Sequence, residues 1–242
     1  MDPAEYVTMY EVEDRHWWYV GMRRITAAVL DGRLPQNGAA ILDAGCGTGG
    51  NLVLLGSYGP AYGLDISRAA LELCRQRGLQ RLARGSVMSL PFPDQAFDLV
   101  TSFDVLYHLA VTDDRAALSE LRRVLKPAGW LFLRVPAYDW LRGRHDAAVH
   151  TRHRYAAGEL RQKVADAGFT TVRLSYANCL LFPLALAKRL AERVLAPQAG
   201  SDVGPPPPAN GVLTALLSLE AAWLRCRSLP WGLSVICLAR KD

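Results

Sequence analysis

The sequence is short of everything that marks a secreted, metal-bound or membrane-spanning chain. Its five cysteines, Cys46, Cys74, Cys179, Cys226 and Cys237, form no Cys-x-x-Cys pair and no metal-like spacing, so free thiols in a reducing compartment are expected. No apolar run reaches the ~18 residues that a membrane span requires. Met1-Asp2-Pro3-Ala4-Glu5 has neither the basic nor the apolar region of a signal peptide. These absences lead to the expectation of a cytoplasmic protein. The histidines and acids make no recognisable zinc motif, so no metal is expected. Charge of one sign is also scarce: 28 Lys and Arg against 23 Asp and Glu leave +5, spread along the chain. That balance permits nucleic acid without indicating it. Half of the 242 residues are apolar, enough for one sizeable α/β domain and an extension.

What is present centres on Ile41-Leu42-Asp43-Ala44-Gly45-Cys46-Gly47-Thr48-Gly49-Gly50-Asn51. The order reads as the end of a buried strand, a glycine turn and the first turn of a helix. Glycine suits a sharp reversal where a ligand approaches bare backbone, the arrangement that grips nucleotide-like ligands at the carboxyl edge of an α/β sheet. Gly45-x-Gly47-x-x-Gly50 fits the dinucleotide fingerprint, with Asp65 twenty residues on as a ribose-binding acid. Gly45-x-Gly47-x-Gly49 behind Asp43 fits S-adenosylmethionine (SAM) instead. SAM has the ribose and adenine of NAD but carries an ammonium and a sulfonium where NAD has a pyrophosphate. An acid at the strand tip suits those cations and repels a pyrophosphate.

Strands and helices then alternate. Glu5 to Leu30 reads as one helix rich in aromatics, with Trp17 and Trp18 either packed on the sheet or forming a lid. Ala61 to Ser67 is a second strand with Asp65 at its tip, and Ser67 caps a helix to about Arg77. Leu79 to Arg84 is a short third strand. Ala96 to Phe103 is an apolar fourth strand leading into Asp104-Val105-Leu106-Tyr107-His108-Leu109. A helix from about Asp113 to Leu125 stops at Lys126-Pro127-Ala128-Gly129, and Trp130 to Pro136 is strand five. Helix Ala156 to Ala167, strand six (Phe169 to Tyr176) and a last strand (Trp231 to Ala239) follow.

These ordered blocks resemble the class I SAM-dependent methyltransferases: the D-x-G-x-G-x-G turn, the D-x-V-x-x-x-x-V-L-x-H block at Asp98 to His108, and the E-L-x-R-V-L-K-P-G-G block at Glu120 to Gly129. Ala128 stands where that last block has its first glycine. Where the family usually has an acid for the adenine amino group, Ser86 stands, with the Val87 N–H beside it. The resemblance implies an α/β, Rossmann-like seven-stranded mixed sheet of order 3-2-1-4-5-7-6 with SAM as cofactor. It implies a cofactor set of Asp43, Gly45, Cys46, Gly47, Gly49, Asn51, Asp65, Ile66, Ser86, Val87 and Phe103. The whole chain is then one methyltransferase domain: a helical cap (1–38), a core (39–176), a helical insertion (177–230) and the last strand (231–242). A nicotinamide oxidoreductase and a non-catalytic SAM-binding scaffold are the alternatives.

Methyl transfer to oxygen or nitrogen of a small-molecule or lipid-like acceptor is the expected reaction. His108 and His145 are candidate bases, with Asp146 orienting a histidine; packing of His108 in its loop is the alternative. Trp18, Tyr107, Arg152 and Tyr155 are candidate acceptor-binding residues. The segment Ala177 to Pro230 replaces the family's short hairpin and should overhang the cofactor edge. Its apolar helices, flanked by Lys188, Arg189 and Arg193, suit peripheral contact with a membrane or a long-chain acceptor. Arg142, Arg144, Arg152 and Arg154 are then expected to meet a phosphate on it. Packing of both helices on each other and on the sheet, or a homodimer interface, is the alternative, and no nucleic-acid partner is expected.

Overall fold

The computed structural model describes residues 2–34, 38–195 and 204–242; the side chains of Pro3, Arg144, His145 and 192–195 lie outside that description. Strands β1 (Ile41–Ala44), β2 (Ala61–Asp65), β3 (Leu82–Arg84), β4 (Phe97–Phe103), β5 (Leu125–Pro136), β6 (Phe169–Ala177) and β7 (Ser234–Lys241) form one sheet of order β3-β2-β1-β4-β5-β7-β6. Only β7 runs against its neighbours. This is the order that the resemblance implied. The central parallel strands are covered on both faces, which is why they read as unbroken apolar runs.

Alternate residues of each strand divide between two cores. Leu42, Val100, Leu131 and Val135 meet helices α5 (Asp114–Val124) and α7 (Ala157–Asp166). Ile41, Leu99, Phe132 and Ile236 meet α2 (Trp17–Leu30) and the insertion helix α9 (Asn210–Leu224). Between α2 and α9 the approach is close, because a Cβ at Gly21 would collide with Leu217. Leu217, Ala221 and Leu224 of α9 therefore face the protein interior, and much of the apolar character of that helix is spent on the fold. Helices α3 (Gly50–Leu55) and α4 (Arg68–Gln76) pack together through Leu52, Leu71 and Cys74.

Two local expectations need correction. The N-terminal stretch is not one helix but α1 (Pro3–Val12) and α2, broken at the polar run Glu13-Asp14-Arg15-His16. Asp2 caps α1 by accepting from Ala4 N at 2.9 Å, and His16 Nδ1 caps α2 by accepting from Trp18 N at 3.3 Å. Strand pairing of β5 begins at Leu125, and its register jumps between Phe97↔Leu125 and Leu99↔Trp130. Within that irregularity Ala128 adopts φ +60°, a left-handed conformation that costs an L-residue about 1–2 kcal/mol. Replacing Ala128 with Gly removes this cost but loosens the unfolded chain by about 0.4–1 kcal/mol. The expected outcome is a net gain of about 0.5–1 kcal/mol, read as a rise in urea midpoint; an unchanged or lower midpoint contradicts it.

The strand order brings the carboxyl ends of β2, β1, β4 and β5 to one edge. There lie Asp65, the glycine turn, Asp104 and Arg134.

Candidate active site

Beyond β1 the chain turns through Gly45, Gly47 and Gly49 at φ +91°, +53° and +89°. Gly45 N and Cys46 N donate to Leu64 O at 2.7 and 2.9 Å, which ties the turn to the tip of β2. Gly45 has a second reason to lack a side chain, since a Cβ there would collide with Val105. Asp65 is nine-tenths buried; its Oδ2 accepts from Gly47 N at 2.9 Å and its Oδ1 from Ser67 N at 2.8 Å. Burial raises its pKa against those backbone donors. Each oxygen keeps a further lone pair for a ligand hydroxyl.

The turn forms one wall of a cavity of about 900 Å³. Of the expected cofactor set, Gly45, Cys46, Gly47, Asn51, Asp65, Ile66, Ser86, Val87 and Phe103 line it. Gly49 does not: it is the N-cap of α3, and a Cβ there would meet Leu79 and Cys74. Gly50 lines the cavity in its place. Ser86 Oγ already accepts from Met88 N at 3.2 Å, so it enters any adenine contact with one partner in hand.

Asp43 sits one layer behind the wall and is essentially inaccessible. Its Oδ1 accepts from Thr101 Oγ1 at 2.7 Å, while Oδ2 has no hydrogen-bond partner among the described residues. Burial pushes its pKa up to about 6, opposed by the Thr101 hydroxyl and the Arg134 charge. The ordinary value is 3.8, so the fold favours the protonated form. Below pH ~4 the group costs nothing. As pH rises through 6 the cost grows to about 3 kcal/mol. The stability difference between wild type and Asp43→Asn, from urea denaturation, should change by about that amount between pH 4 and 7. A difference that stays flat with pH would remove Asp43 as the source.

Helices α1 and α2 roof the cavity with Tyr6, Met9, Glu13, Trp18 and Tyr19. The roof is clasped to the turn. Buried Glu13 accepts from the Thr48 hydroxyl and pairs with Arg77 Nη2 at 2.7 Å, while Arg77 Nε donates to Thr48 O at 2.9 Å. Arg77 Nη1 also meets Asp14 at 2.7 Å. None of this clasp was legible from spacing; its one signal was the polar tetrad that interrupts the N-terminal helix.

The remaining candidates divide. Trp18, Tyr107 and His108 line the cavity. His108 Nδ1 accepts from Ala110 N at 3.0 Å, which puts the ring proton on Nε2. Burial, with the neighbouring His150 ring 5.7 Å away, pushes its pKa down to about 4. At neutral pH it is a neutral hydrogen-bond donor and a weak base. Asp146 also lines the cavity, and among the described residues its carboxylate meets no histidine. Its carboxylate is taken by Arg154 (Nε–Oδ1 2.7 Å, Nη2–Oδ2 3.0 Å) and by Gly143 N at 2.7 Å. The His145 side chain lies outside the described residues, although its backbone belongs to α6 (Arg144–Ala148).

Tyr155 is a correction: it is fully buried, with its hydroxyl 3.1 Å from Leu106 O and 3.0 Å from Asp114 Oδ2, a pin between loops rather than a cavity residue. Arg152 is another, because it approaches Asp114 at 3.6 Å and does not line the cavity. The expected arginine cluster does not converge either. Arg142 pairs with Asp139 and Arg154 with Asp146, while the side chains of Arg144 and Arg193 lie outside the described residues. Among the described residues of the insertion, the cations that reach the cavity are Lys188 and Arg189 of α8 (Phe182–Leu195), beside Leu181, Leu184 and Ala185.

A glycine turn at the β1 tip, a β2 acid and this strand order are the fold features that the resemblance to class I SAM-dependent methyltransferases implied. Residues 42–133 match the family described as "Methyltransferase domain". It is 42% identical over 104 residues to a demethylmenaquinone methyltransferase of Anoxybacillus flavithermus, covering 39% of this chain and 43% of that one. It is 36% identical over 127 residues to the tRNA (carboxymethyluridine(34)-5-O)-methyltransferase of Arabidopsis thaliana, covering 52% and 30%. The chain thus spans about half, or less, of the curated relatives it matches. In fold it is similar to a chain of the complex between the Haloferax volcanii Trm112 methyltransferase activator and a methyltransferase (TM-score 0.64, 21% identity, 99% of this chain and 94% of that). It is also similar to phosphoethanolamine N-methyltransferase 2 of Haemonchus contortus, solved with SAM (TM-score 0.59, 17% identity, 90% and 52%).

The residues present fit that cofactor. Bare glycine backbone and the open lone pairs of Asp65 suit a ribose, and the orphaned Asp43 oxygen suits a nearby cation rather than a pyrophosphate.

Proposed function

We propose that the protein transfers a methyl group from SAM to an oxygen or nitrogen of a small, largely apolar acceptor. One observation carries the acceptor reading. The cavity that begins at the glycine turn runs on, without a break, between Leu141, Val149, Leu181, Leu184 and Ala185. An apolar chamber joined to a nucleotide-type site suits an apolar acceptor held against the cofactor.

When bound, SAM supplies an electrophilic methyl on a sulfonium. The chain's own part is to hold and to exclude water. Asp65, Gly45, Cys46 and Gly47 would grip the ribose and amino-acid portion, and Ser86, Val87 and Ile66 the adenine end. Trp18 and Phe103 line the same cavity and would help to exclude water from the reacting groups. Alignment and desolvation supply much of the rate in such a displacement. His108 is a weak base at neutral pH, so an acceptor that is acidic by itself suits this site better than one that needs a strong base.

We place the reaction in the cytoplasm beside a membrane surface. The exposed Leu184 and Leu190 flanking Lys188 support that reading, and no helix among the described residues is long and apolar enough to cross a bilayer. Calorimetry should give saturable heats with SAM and S-adenosylhomocysteine and none with NADH; binding of NADH alone overturns the reading. Purified protein with SAM should form S-adenosylhomocysteine when given long-chain quinols or acids. Turnover confined to bulk tRNA would overturn the acceptor class while leaving the chemistry.

A further inference from the structure

Arg134 is a lone charge in the apolar run Trp130-Leu131-Phe132-Leu133-Arg134-Val135-Pro136 of β5, and it is 5% exposed. A buried guanidinium is costly unless its donors are satisfied. Its Nε donates to Asp104 Oδ2 at 2.7 Å. Among the described residues, neither Nη1 nor Nη2 has an acceptor, yet the side chain lines the cavity. The contrast with Arg154 on the same cavity is plain. There Nε and Nη2 meet Asp146 and Nη1 donates to Ala137 O at 3.2 Å, leaving no nitrogen without an acceptor.

The unspent donors of Arg134 are held in place from three sides. The Trp18 ring centroid lies 5.1 Å from its guanidinium carbon and that of Phe103 4.9 Å. Asp104 holds it twice, by its carboxylate and by donating its backbone N–H to Arg134 O at 2.8 Å. To do so Asp104 adopts φ +58°, a left-handed conformation that an L-residue keeps only when its surroundings require it.

In the strand order, β4 separates Arg134 from the glycine turn, and Asp65 lies further away on β2. The guanidinium thus lines the cavity from β5, two strands from the one that ends in the glycine turn. We propose that Arg134 is a specificity residue that receives an anionic oxygen of the acceptor through its two Nη groups, so that the acceptor class is an acidic amphiphile: a carboxylate or phosphate on an apolar body. A planar fork with two adjacent donors matches a two-oxygen anion, and such charge-assisted pairs are the strong ones.

This inference rests on the methyltransferase reading, and the test separates the two. Wild type saturated with S-adenosylhomocysteine is titrated calorimetrically with decanoate, decyl phosphate and decanol, three probes that share the apolar body. The acids should bind at least tenfold more tightly than the alcohol, the effect of one charge-assisted hydrogen bond. Arg134→Gln should abolish that preference while leaving decanol and S-adenosylhomocysteine affinities unchanged. The double variant Arg134→Gln with Asp104→Asn, which removes both charges of the pair, should behave the same. Equal affinity of wild type for acid and alcohol overturns the proposal. So does a large loss of S-adenosylhomocysteine affinity in Arg134→Gln, because the guanidinium would then serve the cofactor's own carboxylate. A tighter decanoate than decyl phosphate assigns a carboxylate, and the reverse order a phosphate; either supports it. Wild type that binds decanoate through Arg134 but no S-adenosylhomocysteine refutes the methyltransferase reading alone.

Discussion

Asp65→Ala should weaken SAM binding by on the order of 100-fold. The carboxylate does two things at once in this fold. It offers open lone pairs toward the cavity, and it accepts from Gly47 N and Ser67 N, which sets the shape of the turn. A lost charge-assisted hydrogen bond costs roughly 1.5–3 kcal/mol, and a loosened turn adds the entropy of re-ordering it on binding. Asp65→Asn keeps one acceptor oxygen and should lose only about tenfold. The alanine variant leaves the Gly47 and Ser67 N–H groups without their acceptor, so folding stability should also fall, by about 1–3 kcal/mol. Calorimetry and urea denaturation on the same preparations read both quantities. Wild-type affinity in a folded Asp65→Ala would end the assignment.

Arg77→Ala should be the most destabilising of the substitutions considered. Both members of the Arg77–Glu13 pair are about nine-tenths buried as side chains, and removing one partner of such a pair strands the other, a loss of 3–5 kcal/mol. Arg23 lies near enough to Glu13 to offset part of it, so about 3 kcal/mol is expected. Burial already raises the Glu13 pKa despite the Thr48 hydroxyl and the two arginines. Glu13 therefore favours its protonated form in the fold, and losing Arg77 strengthens that preference. The sign follows: the variant should lose more stability at pH 8 than at pH 5, where Glu13 can take up a proton. Adding Glu13→Gln should recover much of the loss, because a neutral amide still accepts from Thr48. Since the clasp holds the roof over the glycine turn, SAM affinity should fall with stability, and trypsin should reach the α1–α2 junction sooner. A single variant as stable as wild type, at either pH, would show that the clasp holds nothing.

How much of this was legible beforehand differs by kind of residue. The β1 turn needed no tertiary information, because positive φ selects glycine wherever the chain turns that way, and Asp65 follows at the spacing of one helix and one strand. Alternating apolar runs gave the sheet's elements to within a few residues; β5 started early because Leu125 pairs with Phe97 across a register jump. Tyr155 and Arg152 were misplaced for one reason. A polar residue in a loop after β5 looks the same in sequence whether its loop folds over the cavity or away from it, and the Asp114 carboxylate that draws both belongs to a distant helix.

Local sequence, then, determined what local physics controls: which stretches are buried on two faces, where the backbone must be bare, and that an acid follows at the next strand tip. Tertiary structure alone decided which charges share a space. Glu13 and Arg77 are 64 residues apart and Asp104 and Arg134 are 30 apart, and neither pair has a periodicity to announce it. Solvent exclusion is set by everything packed around a group, so the same arginine is spent on Asp146 at position 154 and left with open donors at position 134.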